Sequence, residues 1–262
     1  MEVHAHSHTP RKKWTHYLWE FLLLFLAVFC GFLAEYQLEH KIEKDRSKEL
    51  ASSFYTELSA DSVAVSRAIN FSFKKDSALQ YLKDYFRDSS LLQVSKNFAL
   101  NFYTGLQLNR SIIFEPRGAI LGQLINSGSL RYFKSKELQQ LTIDLAVAIK
   151  NVEARNERVL QFIANHIDAI IIKHTDEQWN EKLNALGGNR SSIIENLIKY
   201  RDSSLVIPYH FMKPETIDKI EYINLFGTLQ TIVRSNAIFQ YISYQNLNTK
   251  ILQALRKVYH IE

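Results

Sequence analysis

The sequence predicts an all-α protein: an N-terminal transmembrane helix continuing into a bundle of long antiparallel helices, with shorter helices packed on it. Three observations carry this reading. One run, HYLWEFLLLFLAVFCGFLAEYQLEH from His16 to His40, is far more apolar than the rest of the chain. Beyond it, apolar residues return every three or four positions and no alternating run of useful length occurs, which is helical rather than strand periodicity. The 262 residues include only 8 Gly and 4 Pro, too little turn chemistry for an all-β fold. The expected organisation is a basic, His-containing tail over 1–13, a membrane helix over 14–35 and one all-α soluble domain over 36–262.

The apolar run is read as an uncleaved membrane anchor. Between Leu18 and Ala34 only Glu20 is ionisable, and those residues as helix reach roughly 25 Å, the short end of a bilayer span. Trp14, Tyr17 and Trp19 on one side and Tyr36 on the other supply interfacial aromatics. Glu20 lies within a turn of the boundary, where a carboxylate reaches head groups. A cleaved signal peptide fits less well, because bulky Phe32 stands two positions before Ala34, the best small residue at the exit. Phe29 before Cys30 argues against a lipoprotein. Arg11, Lys12 and Lys13 are contiguous before the span, whereas Lys41, Lys44, Arg46 and Lys48 after it are interleaved with acids. This favours a cytoplasmic N-terminus with the large domain outside. Cys30 is the single cysteine, so no intrachain disulfide forms.

After the anchor, Leu38, Ile42, Leu50, Phe54, Leu58, Val65, Ile69 and Phe73 continue the helical spacing with no Gly or Pro between them. The membrane helix is therefore expected to run on without a break. SALQYLKDYF and residues 92–108 follow as helical pieces, the latter burying Phe98, Phe102 and Tyr103. Pro116 suits a helix start, GAILGQLINSG a short helix capped by left-handed Gly128, and Ser135 an N-cap with Glu137 in the first turn. Leu138, Leu141, Leu145, Ala148, Val152, Val159 and Phe162 then mark a packing seam. DEQWNEKLNAL, SSIIENLIKYR and a long helix beginning near Glu215 complete the series. No repeat of fixed period is evident.

Chemistry-bearing motifs are sparse. There is no phosphate-binding glycine loop, nucleophile elbow, zinc-protease helix motif or paired-cysteine knuckle, so no catalytic residue, metal or cofactor is assigned. His4, His6 and His8 read as a solvated tail. His166 and His174 read as one exposed and one buried histidine. Arg155, on the seam, is read as turned to solvent rather than paired with an acid such as Glu57 or Asp61. The net charge of +5 falls after residue 35 and is mild for that length, and the aromatics do not interleave with basic residues, so nucleic acid is not an expected partner. The most unusual segment is EPRGAILGQLINSGSLRYF, Glu115 to Phe133. Gly118 and Gly122, four apart, would let another helix pack closely. Arg117, Asn126, Ser127 and Ser129 are the candidate ligand-binding residues, with Arg117 as an anion-binding arm.

WEFLLLFLAVFCGFLAEYQLEH, the mid-chain INSGSLRYF and the terminal VYHIE together resemble a family of uncharacterised bacterial single-pass membrane proteins, which have a Phe/Leu-rich N-terminal membrane helix and a helical soluble domain. The resemblance spans the chain, with the membrane segment its distinctive part. It implies a single-pass bacterial membrane protein of unknown function and transfers no catalytic or ligand residue; together with the anchor and its orientation, the expected location is the bacterial inner membrane. The expected function is a non-enzymatic scaffold that binds the bilayer and an envelope protein or a second copy of itself. A ligand-sensing bundle acting through a partner is the alternative.

Overall fold

The computed structural model describes residues 14–133, 135–188 and 192–261, and every regular element among them is helical. The tail, with His4, His6, His8 and Arg11–Lys13, lies outside the described residues. The chain divides into two compact units, 1–50 and 51–262.

The described part of the first unit is wholly helical, the opening part of α1 (Trp14–Asp88). Its most apolar 18-residue window has a mean hydropathy of 2.1 and no residue of that window is buried. This helix is long and apolar enough to cross a bilayer. Phe21, Phe25 and Phe29 fall on one face at four-residue spacing and stack ring on ring at 6.4 and 6.0 Å. Near the start of the helix, His16 Nε2 stands 3.0 Å from Glu20 Oε1, so the one acid between Leu18 and Ala34 has a partner four residues before it.

The second unit is built from the remainder of α1 and eight further helices among the described residues: α2 (Lys96–Phe102), α3 (Ala119–Asn126), α4 (Lys136–Phe162), α5 (Asp168–His174), α6 (Glu177–Ala185), α7 (Ile193–Asp202), α8 (Lys219–Asn236) and α9 (Ile242–Tyr259). Single π-helical turns at Ile163–Ile167 and Ala237–Tyr241 join α4 to α5 and α8 to α9 without a break, and a third at Tyr103–Gln107 ends α2. Polar side chains caught between helices give their directions. Arg256, Asn248, Gln245 and Gln230 on α9 and α8 bond in turn to Tyr55, Leu58, Ser66 and Asp76 on α1. Numbers fall on one helix as they rise on the other, so α8–α9 runs antiparallel to α1. The seam of α4 buries Leu138, Thr142, Leu145, Ile149, Val152, Asn156 and Val159, a strict four-three spacing of knobs.

Helix starts follow the residues that cap them. Ser95, Ser135, Asp176, Ser192 and Asp218 each accept a first-turn N–H through the side chain, and Glu195 completes a reciprocal capping box with Ser192. Gly128 takes the left-handed conformation, φ +68°, just past α3. The core is aromatic at one end. Phe86 meets Phe226 edge-on at 5.1 Å, and Phe211 inserts between Phe98 and Phe102 at 5.4 and 5.5 Å. Such pairs add about 0.5–1.5 kcal/mol each to their area burial. The close backbone approach in this core is at Gly105, where an added Cβ would stand 3.2 Å from Leu82 Cδ1.

Candidate functional site

The segment from Ile112 to Ser129 has little regular structure of its own before α3, so its backbone polar groups need partners from elsewhere. Three helices provide them. The Tyr241 hydroxyl, in the π turn between α8 and α9, accepts from Phe114 N at 3.3 Å, and its single proton is shared between Ile112 O at 3.0 Å and Asn156 Oδ1. Asn156 Nδ2 on α4 donates to Phe114 O at 2.7 Å, and Asn236 Nδ2 donates to Asn156 Oδ1 at 3.2 Å. All three side chains are buried, and burial pushes the Tyr241 phenol up to about 12. A π turn widens the helix by one residue. Here the widened turn carries the hydroxyl that grips the segment.

The second grip is acidic. α3 starts after Gly118, which has no side chain to cap it, and α1 makes up the deficit. Asp61 Oδ2 accepts from Arg117 N at 3.0 Å and from the Tyr244 hydroxyl at 2.7 Å, while Glu57 Oε2 accepts from Ile120 N at 3.1 Å. Two carboxylates four apart on one helix thus satisfy the start of another, where the helix dipole favours negative charge. Asp61 is 1% exposed. Burial raises its carboxyl above the ordinary range, opposed by the Tyr244 hydrogen bond, the Arg117 N–H and the Arg117 charge. Tyr244 is raised in turn by burial and by the Asp61 charge.

The residues expected to form an anion pocket are spread along this segment. Arg117 precedes α3, and its guanidinium stands 4.0 Å from Asp61 Oδ1, so it faces an acid of its own chain. Asn126, Ser127 and Ser129 lie at the other end of α3, about 13 Å away at the helical rise. There the Ser127 hydroxyl bonds Gln123 O and the Ser129 hydroxyl, at 2.5 and 2.7 Å. A Cβ added at Gly118 would meet nothing within 4 Å, and one at Gly122 only Asn126 Nδ2 at 4.0 Å. Neither glycine is a close-packing point within this chain.

The same segment does line a cleft, and its charge is opposite to that of the Arg117 arm. Ile113, Glu115 and Pro116 form one wall, and Glu153, Asn156, Glu157, Leu160 and Gln161 of α4 form the other, around about 570 Å³. The apolar lining is Ile113, Pro116 and Leu160, and three carboxylates stand among it; Glu115 faces Arg110 at 3.9 Å and Glu157 accepts from Gln161 Nε2 at 3.1 Å, which leaves Glu153 and Glu157 as the acids without a cation beside them in the lining. Glu153 and Glu157 are four apart on one helical face, a like-charge arrangement that costs stability on its own. Chemically this cleft suits a cationic group with an apolar body. Periodicity could not have found it, because its walls come from segments forty residues apart.

Two further polar centres serve packing. His174 is buried, and both ring nitrogens are engaged: Nδ1–H donates to Met212 O at 2.6 Å, which fixes Nε2 as acceptor from the Tyr222 hydroxyl at 2.9 Å. Burial holds its value below the ordinary one, against the opposing Met212 hydrogen bond. His166 is exposed, so the expected contrast between the two histidines is observed, and Arg155 is half-buried. Asp176, buried, caps α6 and accepts from His210 N and, at 3.1 Å, the His210 ring. Among the described residues no group of three His, Cys, Asp or Glu stands together as a metal site. No protein-family model, curated protein or solved structure matches this chain.

Proposed function

We propose that this chain is a membrane-anchored helical interaction protein of the bacterial envelope that has no catalytic role. In this reading the helix through Phe21–Leu33 crosses the inner membrane once, the N-terminus is cytoplasmic and the helical domain lies outside. The domain binds an envelope protein or a second copy. The observation that supports it most is the apolar run of α1, whose leucines and phenylalanines from Phe21 to Leu33 are exposed and need a hydrocarbon surrounding to avoid the cost of hydration. The test is fractionation of cells producing the full chain, followed by protease treatment of spheroplasts. The reading expects the chain to sediment with membranes, to resist alkaline extraction, and to lose residues 36–262 to added protease. Recovery in the high-speed supernatant would overturn the anchor, and protection of the domain would overturn the orientation alone.

One observation favours the second reading, a ligand-sensing bundle that acts through a partner. The cleft between Glu115 and α4 joins an apolar lining to three carboxylates, so the ligand it suits is cationic rather than the anion that Arg117 suggested. Thermal-shift screening of the full chain in detergent with polyamines and basic peptides tests this. Stabilisation lost on added salt supports a ligand site, and no shift at millimolar polyamine removes it.

A further inference from the structure

α4, the π turn after it and α5 form one unbroken rod from Lys136 to His174, and that rod carries two exposed surfaces of complementary chemistry. At one, Leu160 is 40% exposed and shares the cleft wall with Glu153 and Glu157. At the other, Ile172 is 83% exposed beside Lys173. The second surface continues onto the loop before α8, because the His174 ring bonds Met212 O and feels the charges of Lys173, Lys213 and Glu215. Met212 is exposed there. Lys213 is held left-handed at φ 52° although it is not glycine, a costly conformation of the kind that clusters at working surfaces. We propose that a second copy of this chain covers both surfaces, its α4–α5 rod lying antiparallel to that of the first.

The register follows from the helix. Glu153, Glu157, Leu160, Ala164, Asp168 and Ile172 step by four, three, four, four and four, and all six are exposed. In plain α-helix, the twelve residues from Leu160 to Ile172 would turn the side chain about 120° off the stripe. The π turn at Ile163–Ile167 absorbs one residue, which returns Ile172 to the face of Leu160 about 17 Å along the rod. A two-fold axis between Ala164 and Asp168 then sets Leu160 of each copy against Ile172 of the other. At the axis the small Ala164 lets the two backbones approach and leaves room for Asp168.

Charge selects the antiparallel arrangement. By helical angle, Glu157 and Lys173 stand toward the same flank of the stripe, and a two-fold axis brings like flanks together, so each Glu157 comes within reach of Lys173 of the other copy. A parallel pair would set Glu157 against Glu157 and Lys173 against Lys173, which repel. The pairing rests on the reading of the domain as one that binds a second copy. Its contact is small and of the transient class, and confinement of anchored chains to one bilayer raises the effective concentration at which it forms.

The test is disulfide trapping of the full chain in the membranes of cells that produce it, with Cys30→Ala as background. Leu160→Cys and Ile172→Cys replace exposed side chains, and on one rod they lie too far apart to bridge each other. A disulfide between them therefore joins two copies. After mild oxidation the double variant is expected to run as a covalent dimer on a non-reducing gel, in at least about tenfold higher yield than either single variant, whose cysteines stand too far apart across the axis. Lys173→Glu should cut that yield at least about tenfold, and Glu157→Lys added to it should restore it, because the swap rebuilds both pairs. No dimer from the double variant, or equal trapping by the single variants, would overturn the pairing, the latter because the face would then meet other proteins or collide at random. Full trapping with Lys173→Glu would overturn it equally. Sedimentation of the same chains with membranes is scored separately, so loss of the anchor and loss of the pairing are told apart.

Discussion

Lys75 Nζ donates to Asn109 Oδ1 at 2.7 Å from a side chain that is 1% exposed. The ammonium thus sits in the second unit with a neutral amide as its partner. Burial alone lowers its value to about 7, whereas an unfolded lysine titrates near 10.4. Between those pH values the unfolded chain binds a proton that the folded one lacks, so stability rises with pH across the window. The whole rise is on the order of a few kcal/mol. Lys75→Met, of similar length and without charge, is expected to flatten that slope and to stabilise the protein below neutral pH. Urea melts at pH 6, 8 and 10 check it, and a variant whose stability keeps the native slope refutes it.

Two glycine substitutions are expected to differ in sign. At Gly105 an added methyl would stand 3.2 Å from Leu82 Cδ1, 3.5 Å from Leu79 Cδ2 and 3.6 Å from the Ala78 Cβ. Overpacking of this kind costs about 1–3 kcal/mol, which exceeds the gain of about 0.8–1 kcal/mol from replacing Gly by Ala in a helix. Gly105→Ala should therefore destabilise by roughly 1 kcal/mol. Gly122, inside α3, has open space, so Gly122→Ala should be neutral or stabilising by up to about 1 kcal/mol. Paired chemical melts decide both.

These two glycines also show how far the sequence could be read. Gly118 and Gly122 have the i, i+4 spacing of a packing face, yet they look outward, while Gly105 has no such pattern and is the tight point. Spacing identifies which residues share a face but not what lies opposite. The seam of α4 failed in the same way by one residue. Leu141, Ala148 and Arg155 were read at positions where the buried residues are Thr142, Ile149 and Asn156. Two of those three are polar, and they become buriable only through long-range or backward bonds: Asn156 to Phe114 O and Thr142 to Leu138 O. By contrast Ser135, Gly128 and the all-helical class depend on local chemistry, and all were legible. Asp61, Glu57 and Tyr241 were out of reach, because the groups they satisfy lie tens of residues away.

Tyr241→Phe is expected to loosen the segment from Ile112 to Phe114. It would remove the donor to Ile112 O and the acceptor for Phe114 N, leaving buried backbone groups unpaired. Asn236 would still donate to Asn156 Oδ1. At about 1–3 kcal/mol for each of the two orphaned groups, a loss of about 2–6 kcal/mol is expected. It should be accompanied by faster hydrogen exchange over residues 112–118 than over α8. A loss below about 0.5 kcal/mol would mean that water replaces the hydroxyl.

Glu153 and Glu157 give the most direct probe of the cleft. Their charges repel across one helical turn, with Glu115 on the facing wall. The double variant Glu153→Gln, Glu157→Gln is expected to be more stable than the native protein at low salt by about 0.2–0.5 kcal/mol, the size of one such pair. The gain should shrink at 1 M salt, where exposed charges are screened within about 3 Å. Retaining a repulsive pair beside an apolar lining has a physical use if a cation binds there. The same variant should then bind a lysine-rich amphipathic peptide at least about tenfold more weakly while melting at an equal or higher temperature. A structural role alone would change stability and leave peptide binding unaltered. Titration of the full chain with a fluorescent basic peptide, at two salt concentrations, separates the outcomes: equal affinity for native and variant chains would leave the acidic cleft without a cationic ligand.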